Sequence, residues 1–156
     1  MGRSILALAG WIALSFGASA VGVLFRPGKW YLSLDKPAWT PPGWIFPPVW
    51  TALYAMMGIA AWLVWRERGW SGATLPLLLF LLQLLLNAAW TWLFFGLHRP
   101  GLALADIAAL WISILATLVA FGQVRPAAGA LLVPYLAWVG FATALNAELW
   151  RRNPGP

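Results

Sequence analysis

Cysteine is absent from the 156 residues, so neither disulfides nor thiolate metal sites are available, and cysteine usage says nothing of redox compartment. Charge is scarce. Only 9% of residues are Asp, Glu, Lys or Arg, against about a quarter in a soluble domain, while 62% are hydrophobic. Such a chain has too little polar surface to cover a globule in water, and the class it defines is integral membrane. The alternating pattern of a β-barrel is missing, and the apolar runs are unbroken over helical lengths, so the spans are α-helices. The single histidine, His98, lies in a turn beside Arg99 with no acidic helper in sequence reach. A metal centre and a hydrolytic triad both want parts that are not there, and no phosphate-binding glycine loop is present. No internal repeat is visible, which argues against an inverted-repeat transporter.

Acid is scarcer than base, with four Asp and Glu against ten Lys and Arg, for a net charge of +6. The basic residues flank apolar runs, where they anchor to headgroups and set topology, so nucleic-acid binding is not expected. The bilayer is the expected environment.

What is present is an all-α pattern of five apolar spans in one domain, residues 1–156, at approximately 5–25, 47–65, 75–95, 102–123 and 127–150. Each has roughly twenty residues, about 30 Å of helix, which matches the hydrocarbon thickness. The first carries Arg3 ahead of it and Ala18-Ser19-Ala20 near its end, a pattern that also fits a secretory signal; it is read here as a retained span. Its Ser15, Ala18, Ser19 and Gly22 recur at helical spacing and suit close helix contact. Pro47-Pro48 suit the first turn of span two, and Thr74 is placed to cap span three. Pro134 removes an amide inside span five and predicts a kink. Asp106 and Glu148 lie near helix ends and are expected to pair with arginine or an indole N–H. Loop one, loop three and the C-terminus carry six basic residues and the opposite end four, which votes for a cytoplasmic C-terminus and first loop.

Between spans one and two runs a loop, 26–46; the stretch from Trp30 to Trp50, which reaches into the entry to span two, carries Trp30, Trp39, Trp44 and Trp50 and five of the chain's twelve prolines. Proline leaves it few conformations to lose on ordering, and indoles are costly to leave in water. It is expected to lie as a semi-rigid aromatic lid over one end of the bundle. Beneath it, three helix faces mix amide, phenol and indole with small apolar groups: Gln83, Asn87, Trp90, Thr91 and Phe94; Tyr135, Trp138, Ala142, Leu145 and Asn146; and Trp50, Leu53, Tyr54 and Met57. Amides and phenols turn away from lipid tails. Two uses remain open: bonds between helices, at roughly 0.6–2 kcal/mol each, or the few polar groups of an aromatic pocket.

Pro37-Ala38-Trp39-Thr40-Pro41-Pro42-Gly43-Trp44, with Phe46 and Trp50, resembles the signature of the tryptophan-rich sensory protein or translocator protein family, also called the peripheral-type benzodiazepine receptors. The likeness continues through Asn87-Ala88-Ala89-Trp90, Asp106, Pro134-Tyr135-Leu136-Ala137-Trp138 and Ala142-Thr143-Ala144-Leu145-Asn146, and so covers essentially the whole chain. The resemblance implies a five-helix bundle, a homodimer, and a pocket beneath the first loop for porphyrins such as protoporphyrin IX and haem, for sterols, or for synthetic isoquinoline and benzodiazepine ligands. Carried over by motif, the lining is Tyr31, Trp39, Pro42, Trp50, Tyr54, Asn87, Trp90, Tyr135, Trp138 and Ala142, with Asn146 added from the same face. Porphyrin enters as ligand, and no cofactor is required. The resemblance further implies a receptor or carrier in sensing or transport, or alternatively a light-dependent porphyrin-degrading enzyme with Trp50 and Trp138 as its catalytic residues; a sterol-binding or scaffold protein is the remaining alternative. The short sterol motif of the family is incomplete here, since Ala147 stands at its tyrosine position. Composition and the missing tyrosine suit a bacterial member in the cell envelope.

Overall fold

The computed structural model describes residues 2–155. Five helical spans long and apolar enough to cross a membrane follow one another: Gly2–Leu24, Gly43–Gly72, Thr74–Gly96, Pro100–Val124 and Pro126–Arg152. No strand occurs among the described residues. The helices are α1 (Gly2–Leu24), α2 (Lys29–Ser33), α3 (Phe46–Gly72), α4 (Thr74–Thr91), α5 (Pro100–Val124), α6 (Pro126–Leu131) and α7 (Val133–Arg152).

Lipid tails are as apolar as leucine, so close packing and polar bonds hold these helices together rather than a hydrophobic drive. The fully buried centre is accordingly tight. Met57, Ala60, Ala61 and Val64 of α3 meet Leu77 and Phe80 of α4, Ile114 and Phe121 of α5 and Val139 of α7. Phe80 and Phe121 stack at 5.8 Å. Gly58 lets α3 approach α1 so closely that a Cβ there would lie 2.6 Å from the Cα of Ile12. The Trp62 indole N–H ties the same two helices by donating to the Ser4 carbonyl at 3.0 Å. Large apolar side chains on the outside, among them Leu6, Leu85 and Ile112, are left for lipid.

Helix ends follow the proline and glycine signals. Pro47 and Pro48 sit in the first turn of α3, and Pro100 opens α5. Arg125, restricted by the following proline, is extended at φ −151° and ends α5. Gly69 takes φ 66°, a conformation only glycine adopts cheaply, and breaks the end of α3. Pro134 has its effect two residues upstream: Leu132 leaves the helical bond pattern and span five divides into α6 and α7 there.

Three local expectations are corrected. Thr74 does not cap α4; Ala73 holds that position, and the Thr74 hydroxyl donates back to the Trp70 carbonyl at 2.9 Å. The chain winds to Gly72 before turning, so the last carbonyls of α3 lie nearer than the amides ahead. Asp106 pairs with neither arginine nor indole, and its Oδ2 is buried without a partner, because α5 carries it inward of the basic end. Glu148, by contrast, does accept from Arg151 Nη2 at 2.6 Å and Arg152 Nε at 2.7 Å. Span three does not stay α-helical to its end: Trp92–Gly96 form a π turn, closed by the Leu97 amide donating to the Trp92 carbonyl at 2.8 Å.

Candidate functional site

The first loop lies at the end of the bundle where α4 gives way to α5 and where α7 finishes. It is more ordered than its composition suggests. After α2 the chain extends through Asp35 and Lys36, turns at Pro37 to Thr40, and enters α3 through a 3-10 turn, Gly43–Ile45. The Thr40 hydroxyl and amide both donate to the Pro37 carbonyl, at 2.8 and 3.0 Å, and Pro37 is buried. Two of the loop's indoles remain largely uncovered, Trp39 at 49% and Trp44 at 74% exposure.

Two aromatic groups stand under the loop. In the first, the Trp39 ring meets Phe141 edge-on at 5.8 Å, Phe141 tilts against Trp138 at 5.5 Å, and Trp138 meets Phe46 at 5.8 Å. One turn deeper, Trp50 stacks on Tyr54 at 5.4 Å and meets Tyr135 at 6.2 Å. Tyr135 and Trp138 are three residues apart on α7, so this helix joins the loop-facing layer to the deeper one. Ala142 is half-buried on the same helix.

In the second group, the π turn lays Phe94 and Phe95 together at 4.9 Å. Trp90 stacks on Phe94 at 5.1 Å, and Tyr31 of α2 meets Phe95 at 5.5 Å. Trp30 lies flat on His98 at 4.4 Å, with the His98 backbone at φ 54°. Burial among these rings raises the Tyr31 phenol above its ordinary value, and Lys36 Nζ lies 4.7 Å over its face.

The polar groups are spent between helices. The Tyr54 hydroxyl donates to Asn87 Oδ1 at 2.7 Å, Asn87 Nδ2 donates to the Tyr135 oxygen at 2.9 Å, and the Tyr135 hydroxyl donates to Gln83 Oε1 at 2.8 Å. Gln83 Nε2 completes the chain on Met57 Sδ at 3.7 Å. A second chain runs from Trp90 Nε1 to Asn146 Oδ1 at 2.9 Å and from Asn146 Nδ2 to the Pro100 carbonyl at 2.8 Å. Of the two uses the sequence left open, bonding across helices is what Gln83, Asn87 and Asn146 do. Two buried donors among the described residues are not spent, the Ser113 hydroxyl on α5 and, in the aromatic layer under the loop, the Trp138 indole. Trp138 Nε1 is buried and has no partner, whereas the indole N–H groups of Trp62, Trp90 and Trp111 all donate within the protein.

The fold therefore brings Trp39, Trp50, Tyr54, Asn87, Tyr135, Trp138 and Ala142 to one side of α7. It sets Tyr31, Trp90 and Asn146 in the neighbouring aromatic group, and leaves Pro42 exposed ahead of the 3-10 turn. Phe141 and Phe95 were not among the expected residues. Phe141 lies three positions after Trp138 and so shares its face, a spacing that marks it once the face is known. Phe95 has no such signal, because it reaches Tyr31 only through the π turn. A cleft of about 650 Å³ borders the second group at Trp30 and His98 and lies between α2, the turn at His98 and the tail after α7.

Five apolar helices, cross-braced by phenol and amide and ending in an aromatic layer under a folded loop, define an integral multi-pass membrane protein. The chain belongs to the TspO/MBR family, whose sequence profile matches residues 5–151. It is 44% identical over 159 residues to the tryptophan-rich protein TspO of Chlorobaculum tepidum, covering 99% of this chain and 100% of the relative. It is 47% identical over 129 residues to the human translocator protein, covering 81% and 76% of the two chains. The tryptophan-rich sensory protein of Cereibacter sphaeroides is 42% identical over 143 residues, with 92% and 89% covered.

Proposed function

We propose that the protein is a membrane receptor or carrier that binds tetrapyrroles, protoporphyrin IX or haem, and related flat hydrophobic molecules beneath its first loop. The observation that carries the reading is the Trp138 indole N–H, buried with no acceptor in a layer otherwise made of Trp39, Phe46 and Phe141. A buried donor left without a protein partner costs roughly 1–3 kcal/mol, and an acceptor on a bound molecule would meet it. Indole and phenyl faces suit a flat macrocycle. Relatives named as a translocator protein and a sensory protein agree with transport or sensing. No cofactor of the protein's own is needed.

A second reading is degradation of protoporphyrin IX with light and dioxygen, favoured by the placing of Trp50 against the phenols of Tyr54 and Tyr135. The proposal includes a homodimer, for which exposed Ala105, Ala108 and Ala109 of α5 offer a small-residue face. It also places the loop and C-terminus in the cytoplasm of a bacterial cell, from the six-to-four division of basic residues between the two ends.

The test is the absorbance of protoporphyrin IX with purified protein, in darkness and in light. A saturable shift that persists under light is the expected result. A shift followed by decay faster than bleaching of free porphyrin moves the enzyme reading ahead, and no shift overturns the tetrapyrrole reading.

A further inference from the structure

The first loop is fastened to the far end of the chain at one point. Asn153, just past α7, accepts from the Asp35 amide through Oδ1 at 2.9 Å and donates from Nδ2 to the Asp35 carbonyl at 2.9 Å. The same Nδ2 donates to the Leu149 carbonyl at 2.9 Å, as does the Asn153 amide at 3.0 Å. The carboxamide thus presents to Asp35 what a neighbouring β-strand would, one donor and one acceptor, from a base tied to the last turn of α7. The residues joined are 118 positions apart.

The loop needs this fastening. Asp35 precedes Lys36-Pro37, so its segment is extended and has no helical partners for its amide and carbonyl. Lys36 Nζ serves the neighbouring carbonyls of Leu32 and Leu34, both at 3.3 Å, and leaves Asp35 to Asn153. Beneath lies the cleft of about 650 Å³, lined by Leu34 and Asn153 among others, so apolar packing does not hold this stretch down. Arg152 reaches Asp35 Oδ2 at 3.5 Å, but an exposed pair at that range adds little. Beyond Asp35 the buried Pro37 and the turn to Thr40 carry Trp39 onto Phe141.

We propose that Asn153 is a positioning residue for the ligand site: it clasps Asp35 and so holds Trp39 and its turn closed over the Phe141–Trp138 layer. The inference rests on the reading that this layer receives a ligand. It names a gate at the α7 terminus, remote from the rings that do the binding, and it makes ligand escape depend on a C-terminal residue.

The experiment compares wild type with Asn153→Ala, with Arg151→Ala as control because its side chain touches only Glu148. Hydrogen exchange at the Asp35 amide is read without ligand, and protoporphyrin IX dissociation is read in the dark. Two lost hydrogen bonds of ordinary net strength predict exchange and dissociation each about tenfold faster in Asn153→Ala. The global thermal midpoint should move by less than about 3 °C, as local opening requires. Arg151→Ala should match wild type in all three.

Unchanged exchange at Asp35 overturns the clasp. Faster exchange with unchanged dissociation overturns its role in positioning, and so does equal acceleration in Arg151→Ala. If wild type binds no porphyrin, the ligand reading fails by itself. The clasp is then judged on a Phe141→Cys background, where the introduced thiol is the chain's only one. Iodoacetamide labelling about tenfold faster with Asn153→Ala supports closure of the loop by Asn153, and equal labelling overturns it.

Discussion

The Tyr135 hydroxyl of α7 donates to Gln83 Oε1 of α4 at 2.8 Å, in a part of the membrane interior where both residues are 1% exposed. It also accepts from Asn87, so one phenol oxygen serves two amides of the neighbouring helix. Tyr135→Phe keeps the ring and deletes that oxygen, which leaves Gln83 and Asn87 each short of a partner. The expected loss is about 1–2 kcal/mol, in keeping with hydrogen bonds between membrane helices. Reversible unfolding in mixed micelles measures it. The double variant Tyr135→Phe, Gln83→Leu should lose less than the two single variants summed, since removing both ends of a buried bond is milder than removing one.

Gly58→Ala is expected to be among the most damaging single-carbon changes. The new methyl would lie 2.6 Å from the Cα of Ile12 and 2.8 Å from its amide nitrogen, so backbone must move. Overpacking of this kind costs about 1–3 kcal/mol. Gly17→Ala, on α1 like Ile12 and with nothing within 4 Å of the added carbon, is the matched control and should unfold like wild type.

Asp106→Asn is expected to stabilise the protein. Its Oδ2 is buried with no partner, and a lone carboxylate oxygen away from water is costly, whereas the amide removes the formal charge at constant size. A gain of about 1 kcal/mol in the same assay is the expected result. A loss would show that Asp106 has a role the packing does not reveal.

The salt bridge between Arg125 Nη1 and Glu67 Oε2, at 3.0 Å, joins the two turns at the end opposite the loop. Both side chains are over a third exposed. Glu67→Gln should therefore cost less than about 1 kcal/mol and matter less as salt is raised, a dependence that thermal unfolding at two ionic strengths would read.

The five spans were legible because a membrane helix is written as an unbroken apolar run, and a charged or proline-bearing stretch must separate each from the next. The inward faces were legible for the same reason: Gln83, Asn87 and Thr91 recur every four residues, and amides avoid lipid. What those amides bond to was not. That Asn146 takes Trp90, and that Trp138 takes nothing, depends on how far α4 and α7 are rotated against each other, which no spacing within one helix records. The expected pairing of Asp106 failed through a similar gap, since distance from a helix end does not say which way a side chain faces. The loop was legible as aromatic and proline-rich, but its clasp was hidden. Asp35 and Asn153 are polar residues in non-periodic stretches at opposite ends of the chain, and α2 is only five residues long.

The most direct measurement is the dark affinity for protoporphyrin IX, together with thermal stability, of wild type and Trp138→Phe. Saturable binding to wild type is expected, with affinity about tenfold weaker in Trp138→Phe from the lost indole donor, and ligand-free stability should not fall by more than the loss of a few ring atoms explains. Porphyrin should also raise the wild-type midpoint by mass action. Equal affinity in the two proteins, or no binding by either, would contradict the claim that the unpartnered indole marks the ligand site.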